Sequence, residues 1–136
     1  MSVAPGITGI LEAVLYCTDL GSARGFYQDV LGLRRVGGTS DLSLVFRIDP
    51  GHVLLVFDPG ASSVPGRMVP SHGCHGAGHI ALRIDPDTLE PWRERLAAHG
   101  VPIEHTQTWE TGATSLYMRD PGDNSVELLT GDIWDS

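Results

Sequence analysis

The sequence has no lysine: its nine basic residues are all arginines. That absence excludes Schiff-base chemistry, a pyridoxal-phosphate lysine and a P-loop. No Gly-x-Ser-x-Gly stretch occurs, which removes the simplest hydrolase reading. Cys17 and Cys74 are the only cysteines, too few for a disulfide framework, so a reduced, cytoplasmic setting is expected. No apolar run approaches the roughly 18 residues that a membrane helix needs. Residues 1–6 carry no basic region followed by an apolar one, so no secretory leader is expected. Positive charge is in deficit, with a formal net charge of −8. Nucleic acid is therefore an unsuitable partner, because its affinity comes from cations placed on phosphates. A neutral or cationic small molecule remains compatible.

What is present is a unit written twice in a chain whose 136 residues suit one domain. In Gly78-His79-Ile80-Ala81-Leu82-Arg83-Ile84, alternation puts Ile80, Leu82 and Ile84 on one strand face and His79, Ala81 and Arg83 on the other. A similar strand near the N-terminus sets Ala13, Leu15 and Cys17 against Glu12, Val14 and Tyr16. After a Gly- and Pro-rich lead-in, a strand is predicted over 10–17, and Asp19 caps a helix over 20–31 that Gly32 ends. Strands follow over 33–37, 42–48 and 52–58. A glycine-rich loop spans 59–77, long enough to suggest a function. The order then restarts with a strand over 78–84, a helix over 87–98, and strands over 101–106, 113–119 and 125–130. Unit one thus covers about 10–58 and unit two about 78–130. Asp49-Pro50-Gly51 parallels Asp120-Pro121-Gly122, with the second turn two residues longer, and this alignment sets Glu12 against His79 and Leu54 against Glu127.

Three stretches carry a family resemblance: Thr18-Asp19-Leu20 through Gly25-Phe26-Tyr27-Gln28-Asp29-Val30-Leu31-Gly32-Leu33; Gly78-His79-Ile80-Ala81; and Tyr117-Met118-Arg119-Asp120-Pro121 through Asn124-Ser125-Val126-Glu127-Leu128. On these the chain resembles the vicinal oxygen chelate superfamily, which holds glyoxalase I, extradiol dioxygenases, fosfomycin-resistance enzymes and bleomycin-binding proteins. The resemblance implies an α+β fold. In it two paired β-α-β-β-β units form a curved mixed sheet, a cup with the helices outside, and the chain assembles as a homodimer. It also implies one divalent metal ion (iron, manganese, nickel or zinc) at the positions of Glu12, Leu54, His79 and Glu127. Three of these can ligate. Leu54 cannot, and Glu12 stands where histidine or glutamine is more usual. The residue pattern agrees in one respect: Glu12, His79 and Glu127 each lie on the face opposite the helix-packing residues. Two buried carboxylates would repel, and a divalent cation removes that conflict.

The implied activity is that of a metal-dependent enzyme acting on a small oxygen-chelating substrate, as dioxygenase, isomerase or lyase. The alternative is a metal-free protein that sequesters an antibiotic, as bleomycin-binding relatives do. A glutathione-dependent glyoxalase and a fosfomycin-type thiol transferase fit less well, because no cationic cluster stands out. Glu127 and His72 are the candidate catalytic residues, and Tyr16, Phe46, Arg83, Tyr117 and Trp109 the candidate substrate contacts. His72, Cys74 and His75 invite a zinc reading, but no second partner set exists. Cys17, facing the helix, is expected to be inert.

Overall fold

A computed structural model describes residues 3–39, 41–74 and 76–134; His75 of the loop cluster lies outside them. Unit one begins with β1 (Glu12–Tyr16), followed by α1 (Leu20–Arg24), which runs on as a π-helical turn over Gly25–Val30. The predicted helix over 20–31 is therefore wound in two ways, as π-turns often are inside α-helices. Asp19 starts it, its side chain accepting from the Ser22 N–H at 3.0 Å, and the hydrogen bonds from Ser22 hold the carboxyl below its usual pKa. Gly32, at φ +74°, ends it. β2 (Arg34–Gly37), β3 (Ser43–Asp49) and β4 (His52–Phe57) complete the unit. The loop then opens with one helical turn, α2 (Pro59–Ser62).

Unit two repeats the order: β5 (His79–Arg83), α3 (Leu89–Ala98), β6 (His105–Thr108), β7 (Thr114–Arg119) and β8 (Ser125–Leu129). β6 starts later than the strand expected over 101–106. The strands form two four-stranded sheets, ordered β1-β4-β3-β2 and β5-β8-β7-β6. In each, the first and last strands of the unit pair in parallel and the remaining neighbours antiparallel.

One apolar core joins the units. Leu15, Leu44, Leu54 and Val56 come from the first sheet, Leu116, Met118, Val126 and Leu128 from the second, and Phe26, Tyr27 and Leu96 from the helices. Burial at these sites supplies most of the driving force, about 1.5–3 kcal/mol per large side chain. Cys17 is buried there, and burial raises its thiol pKa, so it stays protonated and unreactive.

Polar contacts fix how the units meet. Asp120 and Asn124, in the β7–β8 turn, are both buried. Tyr27 donates its hydroxyl to Asp120 at 2.6 Å, which carries the turn to the unit-one helix. Asn124 donates to the Tyr16 carbonyl at the end of β1 (3.0 Å) and accepts from the Gly78 N–H ahead of β5 (2.7 Å). A Cβ at Gly122 would stand 2.7 Å from the Tyr16 carbonyl oxygen, so only glycine allows this approach. Arg95 of α3 reaches across to the Asp29 and Val30 carbonyls, satisfying acceptors left open at the end of the π-turn.

Two variants test this junction. Tyr27→Phe should lower stability by about 1.5–3 kcal/mol, the cost of a hydrogen bond to a buried charged group, in urea unfolding. Gly122→Ala should cost about 1–3 kcal/mol through backbone displacement, and the same unfolding curves measure it.

Candidate metal centre on the second sheet

Parity along the strands decides which side chains gather. On β8, Val126 and Leu128 enter the core, which turns Glu127 to the opposite face. It lies in register between Ala81 of β5 and Tyr117 of β7, and the small Ala81 leaves room beside the carboxylate. His79, at the start of β5, projects from the same face. Its Nε2 lies 3.3 Å from Glu127 Oε1.

The two groups differ in access: the Glu127 side chain is 7% exposed and that of His79 52%. His79 Nδ1 lies 3.1 Å from the Ser125 carbonyl. A carbonyl only accepts, so Nδ1 carries a proton, which leaves Nε2 as the ring atom that faces the carboxylate oxygen. When the ring is neutral both atoms are acceptors, and a cation between them would satisfy both. A nitrogen and an oxygen each about 2.0–2.2 Å from one metal ion lie about 3 Å apart. The pair therefore fits as two ligands of a divalent ion, with the histidine oriented by a backbone carbonyl as metal-bound histidines usually are. Without a metal, a protonated His79 would fill the same role.

Around this pair the same face assembles a polar and aromatic wall. Tyr117 stacks on His79, with ring centroids 6.4 Å apart, and His105 sits 5.9 Å from Tyr117. Burial and the neighbouring Glu127 charge raise the Tyr117 pKa, so the phenol keeps its proton. The Ser115 hydroxyl donates to Glu127 Oε2 at 2.5 Å, and the Trp109 indole N–H donates to Ser115 at 2.9 Å. Of the residues expected at the site, His79, Glu127, Tyr117 and Trp109 are thus brought together. Ser115 and His105 were missed. The signal for Ser115 was its place two residues before Tyr117, hence on the same face.

Other residues expected at the site stand apart from this pair within one chain. Glu12 is exposed and does not join the pair: among the described residues, no three His, Cys, Asp or Glu side chains cluster as a metal set. It sits at the far end of β1 from Tyr16, about 13 Å along the strand, whereas the Tyr16 end is the one bonded to Asn124 beside Gly78. Phe46 is no substrate contact. It is fully buried on the helix side, opposite Leu54 and with its ring 5.7 Å from that of Tyr27. Leu54 is likewise core. Register sets Leu55, two pairs along from Glu12 and Val53, in the place that Glu127 holds relative to His79 and Ser125. The two Asp-Pro-Gly turns are one residue out of step with their ladders, because the first is irregular between Arg47 and Asp49.

Tyr16 and His72 form a separate pair on unit one. Tyr16 Oη and His72 Nδ1 are 2.7 Å apart, and the His72 ring packs edge-on to Phe57. The His72 N–H bonds the Ser62 carbonyl, so this part of the loop is tied to α2. Arg83 lines an open cavity of about 980 Å³ with Ile10, Ile48, His52, Trp92 and Trp134. Neither His79 nor Glu127 borders that cavity.

These features can be set beside known proteins. The chain is 37% identical to a lactoylglutathione lyase from Agrobacterium tumefaciens, with a TM-score of 0.88 over 95% of this chain and 98% of that one. It is 26% identical to the metallothiol transferase FosB of Staphylococcus epidermidis, over 95% of this chain and 86% of the relative. Against biphenyl-2,3-diol 1,2-dioxygenase 3 of Rhodococcus globerulus it is 28% identical, covering 94% of this chain and 64% of the dioxygenase. With residues 9–128 matching the family profile and the repeated β-α-β-β-β units in place, the chain belongs to the glyoxalase/bleomycin resistance protein/dioxygenase superfamily.

Proposed function

We propose that this protein is a divalent-metal-dependent enzyme of the glyoxalase/dioxygenase type, acting on a small substrate that chelates through two adjacent oxygens. Dioxygenase, isomerase and lyase reactions all fall within this reading. The observation that carries it is His79 Nε2 facing Glu127 Oε1 at 3.3 Å, with His79 Nδ1 set by the Ser125 carbonyl. A divalent ion held there would supply Lewis-acid stabilisation of negative charge on the substrate oxygens. Tyr117, kept protonated, donates a hydrogen bond toward a bound substrate. Glu127, whose carboxylate borders this site, is the group suited to take up or return a substrate proton. His72 offers Nε2 as a further contact, its Nδ1 being engaged by Tyr16.

The third ligand comes, in this reading, from Glu12 of a second copy of the chain. Glu12 is exposed, and the flanking Ile10 and Leu11 are 69% and 72% exposed, an apolar edge that a homodimer would cover. The working unit is then a cytoplasmic dimer of one-domain chains. No helix among the described residues is long and apolar enough to cross a membrane.

Elemental analysis of protein purified without chelator is the test. About one equivalent of iron, manganese, nickel or zinc per chain is expected in the parent and little in His79→Ala. Glu12→Ala should also lose metal while keeping the dimer mass in light scattering. A parent that takes up none of these ions, even after reconstitution, overturns the enzyme reading and leaves antibiotic sequestration as the function.

A further inference from the structure

We infer that Ser115 and Trp109 are positioning residues that fix the Glu127 carboxylate in the orientation that faces His79. The inference rests on the metal-pair reading and adds residues that the family resemblance did not supply.

Directionality carries the inference. An indole N–H can only donate, so its bond to Ser115 occupies the hydroxyl's accepting side. The hydroxyl proton is then left to point at Glu127 Oε2, 2.5 Å away. Serine is suited to this place because one small group accepts and donates at once, and Ser115 is fully buried, so no water competes for either role. With Oε2 engaged, the carboxylate cannot rotate without leaving a buried hydroxyl unpartnered. Oε1 is consequently the oxygen presented to His79 Nε2. The backbone supports the arrangement: Ser115 and Tyr117 stand on the same face of β7, and Tyr117 is in register with Glu127. Trp109 reaches Ser115 from beyond β6, across a tight turn in which its own N–H bonds the Ala113 carbonyl at 2.8 Å. A direct donor–carboxylate–histidine chain thus runs Trp109, Ser115, Glu127, His79.

The test combines manganese titration calorimetry with crystal structures of the metal-free parent and Ser115→Ala. Ser115→Ala should bind Mn(II) about tenfold to a hundredfold more weakly than the parent, the range typical for the loss of a group that orients a ligand. Ser115→Thr, which keeps the hydroxyl, should restore most of the affinity. Trp109→Phe should weaken binding in the same direction but less, since the hydroxyl remains while its orientation is freed; it also keeps the test open if Ser115→Ala fails to fold. In the crystal, Glu127 should turn away from His79 in Ser115→Ala. An unchanged affinity, or a Glu127 that keeps its place without Ser115, overturns the inference. Should the parent itself bind no metal, the functional reading fails, and the position of Glu127 in the two crystal structures still decides the role of Ser115.

Discussion

Asp120 and Asn124 make the contact on which the rest of the molecule depends. Neither can be left in an apolar core without partners, since an unmet buried carboxylate or amide costs several kcal/mol. Their partners come from three places: Tyr27 on the unit-one helix, the Tyr16 carbonyl at the end of β1, and the Gly78 N–H before β5. Asp120 also accepts from the Gly122 and Asn124 N–H groups, which closes the turn. Apolar packing between the units is non-directional and would tolerate sliding. These bonds do not. They set the height of β5 against β1, and with it the place of His79.

The two units share a ladder but not a chemistry. Placed by register, Ser43, Val45 and Leu55 of the first sheet correspond to Ser115, Tyr117 and Glu127 of the second. The serine is kept while the tyrosine and glutamate positions are apolar. Unit one therefore cannot build a second buried carboxylate, and its polar face is carried by Tyr16 with the loop residue His72. This asymmetry gives the polar face of the second sheet a buried carboxylate, Glu127, that the first sheet lacks at the matching position, and a donor chain and a histidine meet it there.

The face of Glu127 and the accessibility of His79 also explain why one chain gathers two candidate ligands and not three. A sheet presents ligands within a few ångströms only from neighbouring strands in register, and β5, β7 and β8 meet that condition. Glu12 belongs to the other sheet and to the end of β1 remote from the junction. Among the described residues no backbone hydrogen-bond ladder joins the sheets, so strand pairing alone does not bring it closer.

Much of this was written in the sequence. Alternation of period two marked both faces of β1 and β5, Asp-Pro-Gly marked the turns, and the repeated order of elements gave the two-unit α+β plan, since these signals are local. The shared face of His79 and Glu127 followed from the same alternation. Sequence did not determine the register of the β3–β4 hairpin: the irregular step between Arg47 and Asp49 puts its turn one residue out of step with that of unit two, so that Leu55 stands where Glu127 does, while Leu54 and its partner Phe46 face the core. Only the tertiary structure brought Trp109 and Ser115 to Glu127 and kept Glu12 away. Those relations depend on how two sheets are set against each other, and the bonds that set them join residues as far apart in the chain as Tyr16 and Asn124.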